Sequence, residues 1–228
     1  MVGVMARRIN LLQSLADQFP QQVFCYPLDV RDAAAMQAAA QDFIARVGVP
    51  DIVIACAGVS TGTLTEYADD LAAFASVMDI NVLGTVKTFQ PFLAAMRAAR
   101  CGTLVGIASV AGFRGLPGAG AYSASKAALI SYLESLRVEL RDSGVQVVTI
   151  CPGYIKTPMT DLNPYPMPFI LSADVAARHI ARVIARGKSF AVLPWQMGLV
   201  GLILKLLPNW LYDLLFCKAP HKPRGLIH

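Results

Sequence analysis

A hydroxyl, a phenol and an ammonium stand within one short stretch of this sequence, at Ser109, Tyr122 and Lys126. Tyr122 and Lys126 open an Ala-rich run of helical composition at positions i and i+4, so both project from one helix face about one turn apart. A free tyrosine titrates near pH ~10 and a neighbouring cation favours its phenolate, so Lys126 is expected to draw Tyr122 towards a range useful for proton transfer. That makes Tyr122 the acid/base candidate. Ser109 follows the apolar run 103–108, which reads as a buried strand, so its hydroxyl sits at a strand's C-terminal end, where open α/β sheets keep their ligands. There it can hold a substrate oxygen. An isolated Tyr-x-x-x-Lys is more often a helical tyrosine beside a solvated lysine, so the reading depends on its surroundings.

The elements that must position these groups alternate along the chain. Residues 2–6 read as a short strand, followed by a helix through Leu11, Leu12, Leu15 and Phe19 that stops before Pro20. A strand over 22–27 leads to a helix capped by Asp32 and running to Val47, and 51–56 is a third apolar strand. A long helical pattern from Asp70 to Arg100 carries Asn81, a poor interior residue, near its middle. The strand over 145–151 is broken by Pro152-Gly153. Residues 159–171, with Pro164, Pro166 and Pro168, read as a loop long enough to be a lid, and Ser172 caps a helix to about Arg186. Strands alternating with helices predict a doubly wound, Rossmann-like α/β fold with a parallel sheet.

Composition narrows the class further. With 228 residues, 55 % hydrophobic and 15 % charged, the chain can bury one sizeable core, which excludes a disordered or fibrous protein. The net charge of +5 comes without any basic run flanked by aromatic residues, so nucleic acid is not an expected partner. Five cysteines (Cys25, Cys56, Cys101, Cys151, Cys217) lack Cys-x-x-Cys spacing and read as buried reduced thiols, and three scattered histidines (His179, His221, His228) predict no metal site. No secretory signal opens the sequence, which points to the cytoplasm.

Asp-Ile-Asn-Val-Leu-Gly around Asn81, Ala-Cys-Ala-Gly at 55–58, the Ser109-to-Tyr122 spacing and Pro-Gly-Tyr-Ile-Lys-Thr at 152–157 fall in the order of the short-chain dehydrogenase/reductase family. The chain resembles that family from about residue 2 to about residue 193. The resemblance implies an oxidoreductase that moves a hydride between a nicotinamide cofactor and an alcohol/carbonyl pair. Tyr122 would protonate the alkoxide, Lys126 would lower the tyrosine pKa and bind the nicotinamide ribose, and Ser109 would position the oxygen. Asn81 would hold a water in the proton path by its main chain. It further implies Asp29 and Val30 beside the adenine, Ala57 and Gly58 as backbone contacts, and Ile155 and Thr157, after Pro152 and Gly153, gripping the carboxamide. Arg7 and Arg8 stand where NAD enzymes carry an acid for the ribose, which favours NADP over NAD.

Two departures qualify the resemblance. Ala-Cys-Ala-Gly replaces the usual Asn-Asn-Ala-Gly, which keeps the tight turn and loses two side-chain amides. The family's first strand, its Thr-Gly-x-x-x-Gly-x-Gly turn and the helix after it do not occur in the sequence. That turn brings backbone N–H groups to the cofactor pyrophosphate, so the expectation is an incomplete chain begun at an internal methionine.

The sequence divides into a Rossmann-type domain over 1–193 and an apolar helical tail over 194–228. Lys205 and Pro208 interrupt the tail's apolar run, which is too short to span a bilayer. Trp195, Trp210 and Tyr212 with Lys218, Lys222 and Arg224 suit a segment lying in the interface on the cytoplasmic face of a membrane. The alternatives are helices covering the substrate pocket or a contact between copies in a homo-oligomer. An apolar lid and tail favour a small hydrophobic alcohol or ketone as substrate. Two other functional readings stand beside this one: a sugar-nucleotide epimerase or dehydratase, and a catalytically silent, membrane-associated interaction protein.

Overall fold

The computed structural model describes residues 1–161 and 163–225. Leu162, inside the proline-rich loop, and 226–228, the end of the tail with His228, lie outside the described residues.

Strand β1 (Val2–Ala6) is joined through helix α1 (Ile9–Gln18) to β2 (Val23–Pro27), which pairs with it in parallel. Helix α2 (Ala33–Val47) starts where the Asp32 carboxylate accepts the Ala35 N–H at 3.0 Å, as expected of an Asp N-cap. After β3 (Ile52–Ala55), the long helical pattern resolves into α3 (Asp70–Met78), a π turn over Asp79–Leu83 and α4 (Gly84–Ala99). Strand β4 (Thr103–Ile107) ends in a 3-10 turn over Val110–Gly112, and α5 (Gly120–Glu139) leads to β5 (Gln146–Pro152). The lid loop is not wholly irregular. Strand β6 (Ile155–Lys156) and β7 (Leu171–Ser172) pair in parallel and pinch its base, with the short helix α6 (Pro158–Asp161) between them. Helix α7 (Ala173–Ala185) is capped by Ser172 and leads to β8 (Phe190–Leu193).

The main sheet has the parallel order β3-β4-β5-β8, with Val105 opposite Ile54 and Val148, and Pro152 opposite Leu193. Its strands are apolar on both faces because both faces are covered. On one side Leu104, Val147 and Val53 pack with Phe89, Phe92 and Met96 of α4 and Leu129, Leu133 and Leu136 of α5. On the other, Val105, Val148, Ile150 and Leu193 meet Ile180, Val183 and Ile184 of α7. The second cover stops short of β3, where Ile52 and Ile54 are 46 % and 47 % exposed. The pair β1-β2 is a separate piece, with no ladder between β1 and β3. Phe43 of α2 holds it to the core, packing edge-on against Phe24 of β2 at 6.2 Å and Phe92 of α4 at 6.5 Å.

The tail forms helices α8 (Trp195–Leu206) and α9 (Asn209–Phe216), bent 118° to each other. Among the described residues, no single helix is long and apolar enough to cross a membrane. The residues after α9 turn back: the Gly62 N–H donates to the Pro223 carbonyl at 2.9 Å, and Gly62 bridges Arg224. Lys222 and Arg224, read from sequence as cations for a lipid surface, are therefore turned inward. Lys222 is only 9 % exposed and its Nζ bonds Ser60 Oγ at 3.0 Å, while Arg224 pairs with the buried Asp70 at 2.8 Å and lies over the Tyr67 ring. Periodicity shows that a cation is present; only tertiary pairing decides where its charge is spent.

Candidate active site

Two close approaches seat α5 so that its first turns face the C-terminal end of β4. A Cβ on Gly112 would come to 2.7 Å from the backbone of Lys126, so only glycine lets the turn after β4 lie this near the helix. Lys126 is buried, and its Nζ donates to the Ile107 carbonyl at 2.7 Å. The same Nζ lies 5.7 Å from the centre of the Tyr122 ring, the one-turn relation expected from their spacing. Ser109 Oγ donates to the Pro152 carbonyl at 3.3 Å and accepts the Ala111 N–H at 3.2 Å, with its hydroxyl close enough to the Tyr122 phenol to oppose a rise in that group's pKa.

Asn81 enters from the π turn, fully buried. Its Oδ1 accepts the Val59 N–H at 2.8 Å, and its Nδ2 donates to the Val59 carbonyl at 3.0 Å and to Ser125 Oγ at 2.9 Å. Its own carbonyl accepts from Thr85 Oγ1 at 3.0 Å. A π turn here is what aims an amide at the loop after β3, as such turns often do at functional sites. Between these groups lies Gly58, where a Cβ would come to 3.3 Å from Asn81 Oδ1 and 3.6 Å from Lys126 Nζ. A side chain at Gly58 would therefore crowd both the amide and the ammonium, and glycine keeps the backbone close to them.

The electrostatics differ from the sequence expectation. Burial pushes the Tyr122 phenol above its ordinary value, with the Ser109 hydrogen bond opposing it. Burial also lowers Lys126 to about 8, where a charge held away from water is disfavoured. Desolvation thus outweighs any pull of the ammonium on the phenol.

The other expected cofactor residues are dispersed. Arg7 and Arg8 are exposed at the end of β1. Asp29 is gripped by Arg31 at 2.7 Å, which holds its carboxyl down to about 2, and Val30 packs with Val59, Val77 and Ile80. Ile155 and Thr157 sit at the base of the lid, where the Ile155 carbonyl accepts Thr160 Oγ1 at 2.8 Å and the Thr157 N–H donates to the same hydroxyl at 2.9 Å. Gly153 donates its N–H to the Leu193 carbonyl at 2.7 Å. Cys56, at the end of β3, is exposed, as are Cys101 and Cys217; of the five thiols only Cys151 is fully buried. The expectation of buried thiols fails because strand ends and turns, where Cys56 and Cys101 lie, are open even when their neighbours are apolar.

Three groups escaped the sequence reading. Ser125 completes the bonding of Asn81. Tyr165, from the lid, lies 6.5 Å ring to ring from Tyr154, and with burial the main cause and both Tyr154 and Tyr122 adding to it, its phenol is pushed up to about 12. Arg114, after the 3-10 turn, donates to the carbonyls of Leu204 (3.2 Å) and Leu207 (2.9 Å) and to Asn209 Oδ1 (2.9 Å). Its place at i+3 from Tyr122 on α5 could have suggested Ser125, whose Oγ also donates to the Tyr122 carbonyl; nothing local marks Tyr165 or Arg114.

A parallel sheet flanked by helices, with Ser109 just past the end of β4 and Tyr122 and Lys126 in the first turns of α5 beside it, is a Rossmann-like α/β arrangement. The chain belongs to the short chain dehydrogenase family, whose sequence profile matches residues 1–164. It is similar to an oxidoreductase of Myxococcus xanthus, 39 % identical over 210 residues that cover 91 % of this chain and 83 % of the relative. It is also similar to a 2-dehydro-3-deoxy-L-rhamnonate dehydrogenase (NAD(+)) of Sphingomonas, 39 % identical over 137 residues, 60 % of this chain and 55 % of that one. Of that relative the chain thus spans about half the length. An alcohol dehydrogenase from the archaeon Thermococcus sibiricus, complexed with 5-hydroxy-NADP, superposes with a TM-score of 0.73 over 84 % of each chain at 22 % identity, a likeness of fold.

Proposed function

We propose that the protein interconverts a hydrophobic alcohol and its ketone or aldehyde with NADP(H), in the cytoplasm. The observation that carries this reading is the grouping of Ser109, Tyr122 and Lys126 around the C-terminal end of β4, with the Gly58 backbone close to Lys126 Nζ. The cofactor, when bound, supplies the hydride. Ala57, Gly58 and Lys126 would hold its ribose, Pro152, Gly153, Ile155 and Thr157 its nicotinamide, and Asp29 and Val30 its adenine. Arg7 and Arg8, exposed and cationic, suit a 2′-phosphate, which supports NADP; the Sphingomonas relative, named for NAD(+), makes the choice worth measuring.

The Ser109 hydroxyl lies beside the Tyr122 phenol, so one substrate oxygen can meet both. Burial raises the phenol's pKa and keeps it protonated at pH 7, the form that donates to a developing alkoxide. Asn81 fixes the loop after β3 through Val59, and its main chain is assigned the water of the proton relay. Tyr165 and Met197, which lies against Gly153, line the substrate side with apolar surface. Five free cysteines accord with a reducing compartment.

The test is Tyr122→Phe in the full gene product, assayed with medium-chain ketones and aldehydes against NADPH and NADH. Turnover is expected to fall at least ~100-fold with cofactor affinity nearly unchanged, since only a transferable proton is removed. Wild-type turnover by the variant would sink the assignment. Equal use of NADH and NADPH would return Arg7 and Arg8 to an ordinary solvated surface.

A further inference from the structure

The tail buries one side of each helix and leaves the other bare. On α8, Met197 and Gly201 face inward, Gly201 against the Phe113 ring, while Trp195, Leu199, Leu202 and Leu206 recur at i, i+4, i+7 and i+11 as one exposed stripe. Trp195 and Leu206 are 73 % and 72 % exposed. On α9, Tyr212 is buried, its hydroxyl donating to the Gly115 carbonyl at 2.6 Å, while Trp210 (69 % exposed) and Leu214 point away. Neither stripe meets another part of the described chain, and exposed apolar surface of this extent marks an interaction site.

We propose that this bare face of α8 and α9 docks on an anionic membrane surface, which delivers an apolar substrate to the site behind it. The proposal rests on the oxidoreductase reading for its substrate and on the tail alone for its docking. Three features select a bilayer. The two helices together are apolar enough for a membrane yet sharply bent, which suits lying in the interface. Each helix begins with or near an exposed tryptophan, the side chain that favours headgroup depth. Lys205 borders the first stripe and Lys218 follows the second, both exposed, against the single acid Asp213, within a chain of net charge +5.

The docking face is tied to the chemistry. Arg114 clasps the C-terminal carbonyls of α8 and lies 4.4 Å over the Tyr212 ring. Residues 221–224 then cross the loops at Gly118 and Gly62, beside the start of α5. A lipid-side load on α8 and α9 is thus carried by the segment that joins Ser109 to Tyr122.

The chain's only two tryptophans are Trp195 and Trp210, so their emission reports docking directly. The full protein should float with phosphatidylcholine vesicles containing phosphatidylglycerol, with blue-shifted tryptophan emission, and bind pure phosphatidylcholine more weakly. Leu199→Gln with Leu206→Gln, both on the exposed face, should reduce partitioning at least ~10-fold. Lys205→Gln with Lys218→Gln should weaken binding to anionic vesicles by about 10-fold and leave the weaker neutral binding alone. Protein that stays in the aqueous fraction at low salt with unchanged emission overturns the proposal. So does a stable dimer in solution that the Leu199 and Leu206 changes dissociate, because a second copy then owns the face. Floating protein without reductase activity would keep the docking and sink the oxidoreductase reading; active protein that never floats would do the reverse.

Discussion

Lys126 shows how a single residue can carry both a function and a stability penalty. Its ammonium is buried and bonded to the Ile107 carbonyl, and burial lowers its pKa from 10.5 to about 8. Between those two pH values the unfolded chain binds more protons at this position than the native one, so the residue's contribution to stability improves as pH rises from about 8 to about 10.5. At lower pH the buried charge opposes folding in full. Urea unfolding across that window should show the gap between Lys126→Met and the parent narrowing with pH, by at most about 1.4 kcal/mol per unit. Parallel curves would mean the ammonium is solvated in both states. Spacing alone disclosed the pair Tyr122 and Lys126, because helix geometry is local. It could not disclose the depth of burial, which reverses the expected direction for the phenol.

At the scale of elements, the strands and helices of the core were legible because apolar runs and Asp or Ser caps are written in neighbouring residues. Asp32 and Ser172 mark helix starts in sequence and in structure alike. The π turn at Asn81 was visible only as a polar residue in the wrong place, and the tail's anchoring was invisible. Arg114 meets its partners 90 to 95 residues away, and Lys222 meets Ser60 across 162. Periodicity says which face of a helix is apolar and nothing about which remote cation will cap it. Arg114→Ala removes three hydrogen bonds and the stacking on Tyr212, and leaves the α8 carbonyls without a protein partner. Loss of about 1–3 kcal/mol is expected, together with faster amide exchange over α8 and α9 than over α5. Equal protection of the tail in both proteins would show that apolar packing alone holds it.

At the scale of the molecule, a parallel sheet was legible from the alternation of strands and helices, while its strand order and its division into a two-stranded and a four-stranded piece were not. Among the described residues β1 pairs only with β2, and β3 only with β4. The free edge of β3 presents unpaired backbone donors and acceptors, and natural sheets guard such edges with charge or proline. Here β3 offers Ile52 and Ile54 instead, β-branched and half bare. An apolar edge of this kind favours self-association through extended backbone, and amides of β3 should exchange faster than those of β4 and β5, which are paired on both sides. Ile52→Lys with Ile54→Lys should suppress the association, and a soluble, well-protected β3 in the unaltered chain would contradict it. The bare rim of β3 is, in effect, an open template, and what pairs with it sets whether the chain becomes part of a sheet or part of a fibre.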